Sequence, residues 1–251
     1  MRRLAAALAC RVQGSRLYGK PLQNLASGVT ILEHIVRAAR AGEEIDEIVL
    51  GISEGVENLP FAELARRLGI SYIVGDQVDV LWRLVQCGRA AAATDVFRIT
   101  TECPFTCWEL LPQAWRRHVE EGNDITVVDH VPEGVHFELY TLEALERAHR
   151  EGQREDRSEY CSAYPRKHPE RFRIAIVPPP PSFRRLDLRL TVDYPEDLVL
   201  CRKVYDALAS QGPRIPIDAI VKFLDANPAL TDLVTPYVDP TPLWDGAVTP
   251  A

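Results

Sequence analysis

The chain has no long apolar segment and no surplus of basic residues. None of its apolar stretches approaches the length needed to cross a membrane. Its 29 Lys and Arg residues are outnumbered by 36 Asp and Glu residues, which gives a net charge of −7. No basic excess is therefore available to displace counterions from a nucleic acid. We expect neither a membrane nor a nucleic acid as a partner, so any anion-binding site must be local.

The six cysteines do not form a metal-binding pattern. Cys103 and Cys107 are four residues apart, but no second cysteine pair or histidine completes a zinc set. The first ten residues have the charge, the apolar run and the cysteine of a lipoprotein signal, but the run is short and Arg11 follows at once. We interpret residues 4–9 as a buried first strand. This predicts a cytoplasmic protein with reduced cysteines.

Strands and helices alternate along the chain. Apolar strands are predicted at residues 4–9, 47–52, 71–74, 95–100, 124–128 and 172–177, with amphipathic helices between them. Capping-box pairs, Thr30 with Glu33 and Thr106 with Glu109, predict two helix starts. The pattern is typical of an α/β fold, a doubly wound three-layer sandwich with a mostly parallel sheet. We predict a single domain over residues 1–234, followed by a loose proline-rich tail at 235–251.

A glycine-containing basic loop follows the first strand. Its candidate phosphate ligands are Arg11, Gly14, Ser15, Arg16, Gly19 and Lys20. Glycine lets backbone N–H groups approach an anion, Arg can bind two phosphate oxygens at once, and Lys acts as a point charge. The spacing is not that of a P-loop, because Pro21 follows Lys20. The loop favours a polyphosphate site at the carboxyl end of the strand; the alternative is an exposed basic turn.

This loop resembles the A-R-x-x-S-x-R-L-P-G-K signature of the sugar-acid cytidylyltransferases, and is most similar to the spore-coat polysaccharide type. Tyr18 stands in place of the usual proline and Cys10 in place of the usual alanine. In that family the loop wraps the triphosphate of CTP. The resemblance therefore implies the nucleotide-diphospho-sugar transferase fold, with Arg16 and Lys20 as catalytic cations.

Two further segments resemble the metal-binding part of this family. Residues 187–198 follow its L-R-L-T-V-D-T-P-E-D-L motif except at Tyr194, and we predict a buried strand that ends on Asp193. Residues 98–105 follow R-I-T-G-D-C-P-L, with Glu102 in place of the aspartate. The resemblance implies Mg²⁺ (or Mn²⁺) held by Asp193 and Glu102; alternatively, Glu102 is a solvated loop residue. Neither acid has an obvious cationic neighbour, so we expect the two to repel each other without a metal.

Other matches extend the candidate site. The segment 75–83 resembles G-x-x-x-D-V-L-x-R and implies nucleotide contacts, as does Arg98. Asp79 can instead cap a helix, the role we favour, and Arg83 can be a solvated helix residue. For the acceptor, the resemblance implies Glu138. His136 beside it is a further candidate, with a surface strand histidine as the alternative, and so is Tyr160, which stands where the family usually has histidine. The residues of the 75–83 segment that the resemblance implies as nucleotide contacts are Gly75, Asp79 and Arg83.

These similarities imply a CTP-dependent cytidylyltransferase that transfers CMP to an acceptor, commonly a 2-keto sugar acid, and releases pyrophosphate. They also imply a homodimer formed through residues 124–177. Three alternatives remain: transfer to a phosphonate or phosphate acceptor, a glycosyltransferase of related fold, and a non-catalytic nucleotide-binding protein. The glycosyltransferase would need an Asp-x-Asp motif, which residues 101–103 do not supply.

Overall fold

The structure is a computed structural model that describes residues 2–158 and 161–244. Its strands are β1 Leu4–Cys10, β2 Asn24–Ala26, β3 Val29–Thr30, β4 Glu47–Ser53, β5 Ser71–Gly75, β6 Asp95–Arg98, β7 Ile125–Val128, β8 Phe137–Thr141 and β9 Ile174–Val177. Its helices are α1 Ile31–Arg40, α2 Leu59–Leu68, α3 Val80–Ala90, α4 Leu111–Glu120, α5 Leu142–Glu151, α6 Ala163–Lys167, α7 Pro195–Leu208, α8 Ile217–Asp225 and α9 Pro228–Val234.

Seven of these strands form one sheet in the order β5-β4-β1-β6-β8-β7-β9. Neighbouring strands are parallel except where β8 pairs with β6 and with β7. β1 lies between β4 and β6 and is buried on both faces, which explains why its sequence is a continuous apolar run rather than an alternating one. The carboxyl ends of β1, β4, β6 and β7 therefore meet at one edge.

Helices cover both faces of the sheet. One core lies between the sheet and helices α1, α2, α4, α7 and α8, and a second core lies between the sheet and helices α3 and α5. The predicted α/β fold, a three-layer sandwich with a mostly parallel sheet, is confirmed. None of the described helices is both long and apolar enough to span a membrane.

One of the two predicted capping boxes is correct. Thr30 Oγ1 accepts from the backbone N–H of Glu33, and Glu33 Oε2 accepts from the N–H of Thr30, so α1 begins as predicted. The second was wrong, because a 3-10 turn over Trp108–Leu110 precedes α4. Glu109 instead accepts a hydrogen bond from the backbone N–H of Ile217 at 2.6 Å, which ties this turn to α8.

The strand predicted to end on Asp193 is also absent from the described chain. Residues 188–192 are extended, and Leu188, Leu190 and Val192 are buried, which accounts for the strand-like pattern. Their pairing is limited to an isolated parallel bridge between Glu133 and Arg189. The segment crosses the ends of the sheet strands instead of lying alongside one of them.

The predicted loose tail is packed where the structure describes it. We call residues 235–244 the C-terminal strap. At its far end Trp244 is fully buried; its backbone N–H donates to Asp129 Oδ2 at 2.7 Å, and its Nε1–H donates to Glu138 Oε1 at 2.8 Å. The strap begins with a 3-10 turn over Thr235–Tyr237, and from there to residue 244 it has no helix or strand. The boundary at residue 234 stays a prediction.

Candidate active site

A cavity of about 480 Å³ opens at the edge where the parallel strands end. Its lining comes from the basic loop after β1, from the segments after β6 and β7, from the region of residues 191–193, and from the C-terminal strap. Seven residues of the basic loop and the predicted metal pair line it together: Arg11, Gly14, Ser15, Arg16, Lys20, Glu102 and Asp193.

The basic loop is a compact turn rather than an open arm. Gly19 has a positive φ of 60° and its N–H donates to Val12 O at 2.7 Å, which closes the loop. A Cβ on Gly14 would collide with the carbonyl oxygen of Leu17. Gly19 itself does not line the cavity, so its role is to shape the loop that presents Arg16 and Lys20.

Asp193 is surrounded by cations. Its Oδ1 accepts from Lys20 Nζ at 2.5 Å and from Arg16 Nη2 at 3.0 Å, and its Oδ2 accepts from Arg189 Nη2 at 2.9 Å. Burial acts to raise the pKa of Asp193, but the hydrogen bond from Lys20 and the three positive charges outweigh it and hold the pKa below its usual range. The expectation that Asp193 has no cationic partner was therefore wrong.

Arg189 organises the turn that carries Asp193. Its Nε donates to Asp197 Oδ1 at 2.9 Å, and its Nη1 pairs with Glu133. Asp197 Oδ2 also accepts from the backbone N–H groups of Asp193 (2.8 Å) and Tyr194 (2.9 Å), as an N-terminal carboxylate of α7 can. This network was not predicted from the sequence, although the opposite charges of Arg189 and Asp197, eight positions apart, were a signal for it.

Glu102 is linked to this turn through the backbone. Its carbonyl oxygen accepts from Val192 N–H at 2.9 Å, so the chain next to Asp193 is fixed against residue 102. Burial raises the pKa of Glu102; the positive charge of Lys20 opposes this and the negative charge of Asp193 adds to it. The two carboxylates are thus close enough to affect each other's ionisation.

The two acids suit a hard divalent cation. Mg²⁺ is commonly bound through one or two carboxylates plus substrate phosphates rather than by a complete protein cage. Consistent with this, the described residues contain no cluster of three or more metal-ligating side chains. The oxygen donors Glu102 and Asp193 fit a Mg²⁺ that arrives with a nucleotide.

Three residues of the 75–83 segment shape the site, and of these Arg83 lines the cavity. Arg83 is almost fully buried, and its Nη1 donates to Cys10 O at 3.1 Å and to Gly51 O at 2.8 Å, which ties together the ends of β1 and β4. A Cβ at Gly75 would lie 2.9 Å from Arg83 Cγ, so glycine leaves room for this side chain. Asp79 caps α3 by accepting from Trp82 N–H at 2.8 Å. Neither Gly75 nor Asp79 lines the cavity.

The acceptor candidates, together with Arg98, which was predicted as a nucleotide contact, divide into lining and supporting residues. Arg98 and His136 line the cavity, and burial lowers the pKa of His136, which favours its neutral form at pH 7. Glu138 is fully buried behind the wall and accepts from Arg98 Nη1 at 2.9 Å. It orients Arg98 instead of facing the cavity as expected. Tyr160 lies outside the described residues.

Sequence analysis missed the contribution of the C-terminal strap. Asp239, Thr241, Pro242 and Leu243 line the cavity. At the near end of the strap, the ring of Tyr237 stacks on that of Tyr194 with centroids 3.9 Å apart. The sequence did contain an indication: Tyr237 and Trp244 lie in this proline-rich segment, and large aromatic side chains contribute strongly to packing.

A doubly wound α/β sandwich with a cationic loop at the end of its central strand, facing two acids, defines a nucleotide-binding transferase. The model of the cytidylyltransferase family matches residues 5–215, and this chain belongs to that family. It is accordingly a nucleotidyltransferase enzyme.

Individual relatives agree with this assignment. The spore coat polysaccharide biosynthesis protein SpsF of Bacillus subtilis is 28% identical over 222 residues, which cover 87% of this chain and 92% of that protein. A cytidylyltransferase structure from Leptospira borgpetersenii matches with a TM-score of 0.84 at 17% identity, over 92% of this chain and 97% of that chain. A CMP:2-keto-3-deoxy-manno-octonic acid synthetase complexed with CTP matches with a TM-score of 0.63 at 13% identity, over 82% and 99%. At these identities the two structures show the shared fold.

Proposed function

We propose that the protein transfers CMP from CTP to a hydroxyl group of a 2-keto sugar acid and releases pyrophosphate. The observation that carries this proposal is the contact of Lys20 and Arg16 with Asp193 at the mouth of the basic loop. This contact supports the proposal because a triphosphate with a bound metal would need cations next to a carboxylate.

In the proposed reaction the acceptor oxygen attacks the α-phosphorus of CTP. The bond from that phosphorus to the bridging oxygen of the β-phosphate breaks, and pyrophosphate leaves with the bonding electrons. Lys20 and Arg16 exchange Asp193 for the β- and γ-phosphate oxygens and neutralise the charge that develops on the leaving group. Arg83 holds the strand ends beneath the loop, so these cations are positioned before the substrate arrives.

We propose that Glu102 and Asp193 hold Mg²⁺ (or Mn²⁺), which would neutralise phosphate charge and lower the pKa of the acceptor hydroxyl. The release of Asp193 from Lys20 and Arg16 frees its Oδ1 for this role, while its Oδ2 stays bonded to Arg189. Neutral His136 lies at the acceptor side of the same cavity, where it can accept a hydrogen bond from an acceptor hydroxyl.

The acceptor class rests on similarity. SpsF is named for polysaccharide biosynthesis, and the CTP-bound relative is named for a 2-keto sugar acid. The cavity also offers Arg98 as a cation beside His136 for an acceptor carboxylate.

A pyrophosphate-release screen that crosses four nucleoside triphosphates with sugar acids, sugar phosphates and phosphonates tests the proposal. We expect CTP to be the preferred donor and a 2-keto sugar acid the preferred acceptor. Preferred turnover of ATP, GTP or UTP with every acceptor would contradict the donor. Turnover restricted to phosphonates or phosphates would contradict the acceptor alone.

We also propose a homodimer that forms through residues 124–177 and acts in the cytoplasm. All six cysteines are buried free thiols, as expected in a reducing compartment. Light scattering after size-exclusion chromatography measures the mass directly, and a species near the 28.2 kDa of one chain would contradict the dimer.

A further inference from the structure

The C-terminal strap closes one side of the cavity and is held at both ends. At the near end Tyr237 stacks on Tyr194, and its carbonyl oxygen accepts from Arg189 Nη1 at 3.3 Å. At the far end Trp244 is fully buried and hydrogen-bonded to Asp129 and Glu138. A segment that is fixed at two points by buried groups is a wall of the cavity rather than a mobile lid.

The far end of the strap lies well away from the triphosphate loop. The loop follows β1, whereas Asp129, which anchors Trp244, follows β7. In the sheet order β1-β6-β8-β7 these strands are three positions apart, or about 14 Å at the usual strand spacing. The far end of the strap therefore borders the part of the cavity that remains when the phosphates of CTP occupy the loop, whereas Asp239, nearer the other end, lies beside Glu133, the partner of Arg189.

The strap presents groups suited to a hydroxylated ligand. Asp239 and Thr241 of the strap line the cavity, and so does Asp129, which directly follows β7. These groups accept hydrogen bonds from hydroxyls. Pro242 and Leu243 add apolar surface that suits the C–H face of a sugar ring.

We propose that the C-terminal strap is the acceptor-selecting wall of the enzyme, with Asp239 and Thr241 binding hydroxyl groups of a polyhydroxylated acceptor. This inference rests on the proposed CMP transfer, and it identifies residues that determine the specificity for the acceptor. The strap lies beyond residue 215, where the match to the family model ends.

The variants Thr241→Val and Asp239→Asn test the wall. Valine keeps the shape of threonine, and asparagine keeps the oxygen that accepts from Thr241 N–H at 3.0 Å, so both changes preserve the turn. Asp232→Asn is the matched control, because Asp232 is exposed on α9 and does not line the cavity. Each variant is assayed for CTP binding by calorimetry and for acceptor kinetics by pyrophosphate release.

We expect both strap variants to bind CTP within twofold of the wild-type affinity. Their KM for the acceptor should rise about 3- to 10-fold, as expected for loss of one hydrogen bond. Asp232→Asn should change neither quantity. Parallel weakening of CTP binding would place the nucleotide against the strap and overturn the proposal, and so would unchanged acceptor KM values.

The two possible failures are distinguishable. If the wild-type enzyme uses no sugar acid but another class in the screen reacts, the proposed acceptor is wrong, and the strap is tested with the class that reacts. If a sugar acid reacts but the strap variants show wild-type KM for it, the strap assignment is wrong and the proposed function stands.

Discussion

At the scale of single residues, Asp193 is the common partner of the two cations of the basic loop. Lys20 and Arg16 both contact Oδ1 of this carboxylate, and the side chain of Asp193 is only 16% exposed. From the sequence we expected Asp193 and Glu102 to repel each other. In the structure the charge of Asp193 is instead neutralised by Lys20, Arg16 and Arg189. Sequence spacing could not reveal this, because Lys20 and Asp193 are 173 positions apart and meet only in the folded chain.

Removal of either loop cation should weaken triphosphate binding selectively. We expect Arg16→Ala and Lys20→Ala each to cost about 1.5–3 kcal/mol in CTP binding, because each removes a charge-assisted contact, with a much smaller effect on CMP. Calorimetric titration with both nucleotides measures this. Lys222→Ala, at an exposed position on α8, is the control. Equal losses for CTP and CMP would mean that the loop does not bind the β- and γ-phosphates.

Asp193→Asn should abolish turnover, and it should lower stability rather than raise it. The change leaves Lys20, Arg16 and Arg189 without their shared negative partner, at a cost of about 1–3 kcal/mol in the free energy of unfolding. Because folding lowers the pKa of Asp193, its stabilising contribution is present above the unfolded pKa of about 3.9 and is lost as the pH falls through the folded value.

Urea unfolding of wild type and Asp193→Asn from pH 7 to pH 3 measures the expected loss of stability and its pH dependence. The difference in stability should be constant at pH 5–7 and should close below about pH 4. Asp232→Asn should show no difference throughout the range. A variant more stable than wild type at pH 7 would restore the original expectation of repulsion.

At the scale of elements, the sequence predicted what local pattern determines. The strands β1, β4 and β5 and the start of α1 follow from apolar runs and a capping box. The failures share one cause: residues 188–192 and the strap are irregular segments whose burial depends on distant partners. An apolar pattern indicates that a segment is buried, but it does not indicate whether a neighbouring strand is available to pair with it.

The backbone of residues 190–191 lies directly against Gly134, so we expect no room for a larger residue at that position. Gly134 has a φ of 90°, and a Cβ there would meet the backbone N of Thr191 and lie 2.7 Å from the carbonyl carbon of Leu190. Gly134→Ala should therefore cost more than the roughly 1–2 kcal/mol of a left-handed alanine. Gly28→Ala is a matched control, since its φ is 73° and its Cβ would have no neighbour within 4 Å among the described residues.

Urea unfolding of both glycine variants measures the difference. We expect Gly134→Ala to lose more stability than Gly28→Ala and to lose CTP turnover as well, because residues 190–191 lead directly to Asp193. Equal destabilisation would show that the backbone crossing can move aside without cost.

At the scale of the whole molecule, the site is assembled from distant parts of an acidic chain. The net charge is −7, yet the cavity collects cations from the loop after β1, from α3 and from the end of β6. The family match and the conserved type of fold could be inferred from sequence, because the motifs at residues 11–20 and 187–198 are local. The strap could not, because its role depends on contacts with β7 and β8, more than 100 residues earlier.

The same long-range assembly sets the expected dependence on metal. The hydrogen bond from Val192 N–H to Glu102 O holds Glu102 and Asp193, 91 positions apart in the sequence, beside one cavity.

If Glu102 is a direct ligand, Glu102→Asp should change the Mg²⁺ concentration needed for half-maximal rate, because the carboxylate retreats by one methylene group. Glu102→Ala should raise that concentration further and lower the rate. Initial rates measured against Mg²⁺ at saturating CTP decide the point, with Glu196→Ala as the control at a half-buried position on α7 outside the cavity lining. An unchanged half-maximal concentration and rate in Glu102→Ala would make Glu102 a bystander and leave Asp193 to hold the metal with water and phosphate oxygens.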